Sequence, residues 1–295
     1  VRLWLGVVLL AVCVAGAGLL IARLWLALAR PPEQWPVDGR LFLDLLGLVS
    51  LLLLGGAVAY RVAAAFTLSY AVDRNGLYIF WMGNRATVPL QRIESIESGV
   101  AASGGLRGAL QTIGYYHGQV RLPEGRLAHR FTTLPLARSL VLHTDNDSYA
   151  ISPQDADAFV QELEQRRRIG PIQQLSQGVE VGRTFFYAFW DDRVVRRALL
   201  ATLLLNLALL GWLMTIYPGL PATLDLRTDA VGEVALLRPR HQVLFLPLAA
   251  AVVALLNTGL GLTVYGREPA GARLLQVASA VAQILFAVAI LTIVR

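Results

Sequence analysis

Five apolar runs dominate this chain, and each is long enough to cross a bilayer. Residues 3–28, 41–60, 198–217, 243–265 and 274–294 each hold about 20 or more predominantly apolar positions. In hydrocarbon every backbone N–H and C=O must be satisfied within the segment, so each run is expected to be a helix. Of the 295 residues, 56% are apolar and only 16% are charged. Soluble globular chains carry about 25% charged residues. The expected fold class is therefore an α+β membrane protein with about five transmembrane helices and one water-soluble insertion. The first run far exceeds the roughly 7–15 residues of a signal-peptide core, so it reads as an uncleaved helix.

The charge pattern supports a topology. All 26 basic residues are arginine. Arg193, Arg196 and Arg197 cluster before the third run, and Arg61, Arg74, Arg267 and Arg273 fall on the same side. The side richer in arginine is expected to be cytoplasmic. This puts the N-terminus and the middle domain inside, the C-terminus outside, and the 218–240 loop outside. The net charge of +6 does not indicate nucleic acid, because no basic stripe with interleaved aromatics forms. The expected setting is a membrane, crossed several times.

Polar groups inside the last three runs are amides rather than charges. Asn206, Asn257, Gln276 and Gln283 are candidates for hydrogen bonding between helices. Pro247 is expected to kink the fourth helix. Asp44 reads as a solvated residue near the end of the second helix.

Between the second and third runs the pattern changes to alternation. Phe66, Leu68, Tyr70 and Val72 fall on one face of a first strand. Asn75-Gly76 marks a hairpin turn, and residues 77–82 and 86–90 supply the next strands. Residues 92–98 read as a short turn or edge segment. Further strands are expected over 114–122, 127–133, 139–143 and 148–151, with 144–147 as a turn. A helix should follow, with Ser152 as N-cap, Pro153 in its first position and Asp155 at the capping-box site. Ala156, Phe159, Val160 and Leu163 make its apolar stripe, and Gly170 can end it. Arg166, Arg167 and Arg168 close it and, with Arg193, are candidate contacts for lipid headgroups.

The run from Tyr70 to Ile79, the segment from Val88 to Ile96, and Tyr149-Ala150-Ile151-Ser152-Pro153 with Phe159, Val160 and Leu163 resemble the bacterial pleckstrin-homology-like (bPH) domain. The resemblance implies two bent antiparallel sheets, a PH-like β-barrel or sandwich, closed by a C-terminal helix. In that family such domains often follow a pair of membrane helices, and this chain adds three more. The expected domains are residues 1–65 with two transmembrane helices, 66–168 as the PH-like domain, 169–197 as a juxtamembrane linker, and 198–295 with three helices.

No catalytic constellation or cofactor motif is visible. The glycine-rich 104–108 segment lacks the G-x-x-x-x-G-K-[ST] pattern and reads as a loop. His117, His129, His143 and His241 lack metal-ligand spacing, and the lone Cys13 lies in the first apolar run. Aromatics at 185–190 suit a membrane interface, and 218–240 is expected to form a small hairpin. The sequence therefore points to a non-catalytic binding or scaffolding module that meets the bilayer and a protein partner or a second copy. A transporter or transporter subunit, and a sensor linking the 218–240 loop to the cytoplasmic domain, stand as alternatives.

Overall fold

The computed structural model describes residues 2–99, 115–123, 125–145, 147–170, 172–173, 178–180, 188–190, 192–225 and 237–294. The 104–108 loop, Asn146, the aromatics at 185–187 and residues 226–236 of the long loop lie outside them. The chain divides into two compact units, residues 1–14 with 52–183 and residues 15–51 with 184–295. Helices α1 (Arg2–Leu28) and α2 (Gly39–Thr67) contribute to both.

In the first unit α2 runs further than the apolar count suggested, to Thr67. Phe66, expected to start a strand, is helical and 64% exposed. The Ala63-Ala64-Ala65 run favours continued helix. Thr67 ends it by bonding the Ala63 carbonyl at 2.8 Å and accepting from the Met82 N–H at 3.0 Å.

Two sheets follow. One has the order β1 (Ser69–Val72), β2 (Gly76–Trp81), β3 (Asn84–Pro89), β9 (Gly178–Glu180). The other has the order β4 (Ile93–Ser98), β7 (Leu140–Thr144), β8 (Ser148–Ile151), β6 (Leu127–Thr132), β5 (Tyr116–Arg121). Among the described residues no ladder joins the two sheets.

Three expectations change here. Residues 93–98 form a full strand, β4, after a 3-10 turn over Leu90–Arg92. The second sheet is not wholly antiparallel, because β6 and β8 run parallel. The 169–197 stretch is more than linker, since β9 extends the first sheet. The β2–β3 turn centres on Met82 and Gly83, both at positive φ, which is the two-residue geometry that matches strand twist.

Helix α3 (Ala156–Ile169) closes this core. Phe159, Val160 and Leu163 pack with Leu77, Ile79 and Phe131. Its N-cap is Asp155, not Ser152: the Asp155 carboxylate accepts from the Ala158 N–H at 3.0 Å. Ser152 instead ties strands together, accepting from the Thr133 N–H at 2.9 Å. The Tyr70 hydroxyl donates to the Phe131 carbonyl at 2.6 Å and accepts from the Ser152 N–H at 3.1 Å. Gly170, at φ +80, stops the helix as expected.

The second unit is built on α4 (Arg193–Ile216), α5 (Phe245–Val264) and α6 (Pro269–Val294). Leu213, Val243 and Ile290 are fully buried in its core. Pro247 falls in the first turn of α5, after a 3-10 turn over Arg240–Leu244, where its missing N–H costs little; it does not interrupt a helix. Asp44 is not simply solvated, since its carboxylate lies 3.2 Å from the Arg23 guanidinium. A short hairpin pairs β10 (Thr223–Asp225) with β11 (Leu237–Pro239). Among the described residues, five helices are long and apolar enough to cross a membrane.

Candidate functional site

The four amides singled out from sequence converge on α4, α5 and α6. Gln276, Ser279 and Gln283 fall at i, i+3 and i+7, one face of α6, and all three are buried. Gln276 donates to the Asn257 carbonyl at 2.9 Å and accepts from the Thr258 hydroxyl at 3.3 Å. Asn257 donates to Ser279 Oγ at 3.0 Å. Asn206 donates to Gln283 Oε1 and to the Pro247 carbonyl, each at 2.9 Å. Gln283 donates to the Ala250 carbonyl at 2.9 Å. Every amide is thus committed to a neighbouring helix, which fixes helix order and rotation. Gly261 permits the approach: a Cβ there would lie 2.6 Å from Gln276 Nε2 and 3.1 Å from the Phe189 ring.

Asp192 gathers four hydrogen bonds in this unit, and the sequence reading missed it. One carboxylate oxygen caps α4, accepting from the N–H groups of Val194 at 2.8 Å and Val195 at 3.3 Å. The other accepts from the Tyr265 hydroxyl at 2.9 Å and Arg273 Nε at 2.7 Å. The side chain is only 4% exposed. Burial pushes its pKa up, but the bonds from Arg273, Tyr265 and the two backbone N–H groups outweigh this and hold it at about 2. The available signal was an Asp directly before a helical run, an N-cap preference.

The arginine candidates belong to two different units. Arg166, Arg167 and Arg168 share the last turn of α3, where cations suit the helix dipole. Arg166 is already paired with Glu162. Arg193 opens α4 in the other unit and is exposed.

On the first unit's surface, a groove of about 640 Å³ separates the outer strand β4 from α3. Glu94, Glu97, Asp157 and Glu164 line it against one cation, Arg167. Ile96, Val160 and Leu163 give it an apolar floor. Sequence reasoning could not find this groove because its two walls are distant in the chain.

His143 sits between Ser148 and Glu97, with Nδ1 3.0 Å from Ser148 Oγ and Nε2 3.5 Å from Glu97. This arrangement echoes a nucleophile and its base, but Ser148 is fully buried and no substrate can reach its hydroxyl. His129 stacks on Tyr149 and lies 3.8 Å from Asp147. Among the described residues, no group of three or more His, Cys, Asp or Glu is placed to hold a metal.

Comparison with known proteins adds a family to this architecture. No curated protein and no solved structure matches the chain. One family model does, over residues 68–167, about a third of the chain. That stretch begins just before β1 and ends inside the last turn of α3, so it covers both sheets except β9 together with the closing helix. Residues 68–167 are therefore a bacterial PH domain.

Proposed function

We propose that this chain is a multi-pass protein of the bacterial cell membrane that displays its PH domain at the cytoplasmic surface as a non-catalytic binding or scaffolding module. The carrying observation is the pairing of a bacterial PH domain with five helices long and apolar enough to span a bilayer. Those helices leave large side chains such as Trp25, Leu255 and Leu274 exposed by 70% or more, a surface that water disfavours and lipid accepts. The arginines before α4 favour the cytoplasmic side for the domain. A protein segment or a second copy of the chain is the expected partner. The acidic groove beside β4, an outer strand among the described residues, is where it would dock.

The mutual bonding of Asn206, Asn257, Gln276 and Gln283 favours a structural bundle over a transport pathway, since these amides already have partners. A sensor linking the 218–240 loop to the domain has no separate support.

Topology can be tested from a Cys13→Ser background. Gln165→Cys and Thr223→Cys, both at exposed positions, are labelled with a membrane-impermeant maleimide in intact cells. Thr223→Cys should react before lysis and Gln165→Cys only after it. The opposite pattern reverses the topology, and extraction of the protein by salt alone removes the membrane assignment. Crosslinking in native membranes, with and without residues 66–168, tests the binding role. Retention of every partner after deletion would sink it.

A further inference from the structure

Asp157, Val160 and Glu164 fall at i, i+3 and i+7 of α3, so they share one face, and all three line the groove beside β4. Both carboxylates are exposed. Two turns of helix set them about 10 Å apart along the axis, with Val160 between them. The facing wall is β4, the outer strand of its sheet among the described residues. Its own carboxylates already have neighbours: Glu94 lies 3.6 Å from the Arg126 guanidinium, and Glu97 lies 3.5 Å from the His143 ring. Asp157 and Glu164 have no ion-pair partner among the described residues. Arg167 lines the same groove one turn beyond Glu164.

The order along the α3 wall is therefore acid, apolar, acid. An extended segment rises about 3.3 Å per residue and turns alternate side chains to one face. Its positions i, i+2 and i+4 span about 13 Å on that face, and the flexible stems of lysine or arginine close the difference from 10 Å. The middle position then lies over Val160 and Ile96, both partly buried. Five such residues cover about 17 Å, within the roughly 20 Å of the six-residue β4. The excess of carboxylates repels anionic lipid headgroups and nucleic acid and attracts a cationic segment.

We infer that the groove between β4 and α3 takes an extended protein segment with a cationic side chain at positions i and i+4 and an apolar one at i+2. The segment lies alongside β4, its cations meet Asp157 and Glu164, and its central side chain rests on Val160 and Ile96. This inference rests on the reading of the domain as a binding module and adds the kind of partner it takes.

The full-length protein in a neutral detergent is titrated into a dye-labelled seven-residue peptide, threonine throughout except for arginine at the second and sixth positions and leucine at the fourth. Anisotropy should rise saturably, with affinity falling as salt increases. Glutamate in place of both arginines should abolish binding, and moving the arginines to adjacent positions should weaken it about threefold. Asp157→Asn and Glu164→Gln should each weaken binding about threefold and together about tenfold. Arg167→Gln should tighten it about threefold, a gain that loss of folding does not mimic. Absence of saturable binding, equal binding of the reordered peptide, or unchanged affinity in either the double variant or Arg167→Gln overturns the groove. In native membranes, partner crosslinks that vanish on deletion of residues 66–168 but persist in the double variant keep the module reading and remove the groove. Crosslinks indifferent to the deletion remove the module reading, while the peptide result in detergent stands.

Discussion

Asn206 and Gln283 stand 77 positions apart in the sequence and share a 2.9 Å hydrogen bond between Nδ2 and Oε1. Each also bonds a carbonyl of α5, Pro247 for Asn206 and Ala250 for Gln283. Two side chains thus join three helices, and none of the three can slide by a turn past the other two without breaking two of these bonds.

Replacing Asn206 with Leu should destabilise the helical unit by about 1–2 kcal/mol, because the Gln283 oxygen is left buried without a donor. Gln283→Leu should cost a similar amount, and the double variant less than the sum. Reversible unfolding in mixed micelles measures the three values. Additivity within error would mean the pair is not coupled.

Asp192 should make stability depend on acid. Its folded pKa of about 2 lies below the ordinary 3.8, so the folded state holds the ionised form more tightly than the unfolded chain does. The contribution is complete above about pH 4 and disappears as pH falls through about 2. Asp192→Asn should flatten the acid limb of a pH–stability curve. Asp192→Ala should also lose the α4 cap, about 1 kcal/mol at neutral pH.

Two glycines mark places where helices pack too closely for a methyl group. Gly261→Ala would press on Gln276, which is hydrogen-bonded and cannot easily retreat. Gly211→Ala would meet the Phe42 ring at 2.7 Å. Each should cost about 1–3 kcal/mol, whereas Gly259→Ala, with open space around it, should be neutral or slightly stabilising. Thermal unfolding of the three variants in one detergent compares them directly.

In the PH domain, Tyr70→Phe removes the hydroxyl that links β1 to Phe131 and Ser152. A loss of about 1–2 kcal/mol is expected, since the Ser152 N–H is left without its acceptor. Asp155→Ala should cost about 1 kcal/mol through the α3 cap, and Ser152→Ala should act through the strands rather than the helix. Hydrogen exchange separates these cases: α3 amides respond to Asp155→Ala, and the Thr133 amide responds to Ser152→Ala.

Local patterns were legible without coordinates. Runs of twenty apolar residues need no tertiary context to be helices, because lipid or burial leaves the backbone no other way to satisfy its polar groups. Alternation over Tyr70, Val72 and their neighbours, the apolar stripe of α3 and the Gly170 stop are likewise set by the pleat and the helical turn. The four amides were recognisable because polar residues in such runs must find partners.

Pairings between distant residues were decided only in three dimensions. Ser152 and Asp155 are both good caps by residue type, and the choice fell to Asp155 because Tyr70 and Thr133 claim Ser152. Alternation marks a strand but does not name its neighbour, so the parallel β6–β8 ladder and the added β9 were invisible. The junction of Asp192 with Tyr265 and Arg273 depends on where separate segments meet. The electrostatics of each group come from those neighbours, and a linear chain does not state distances between residues far apart.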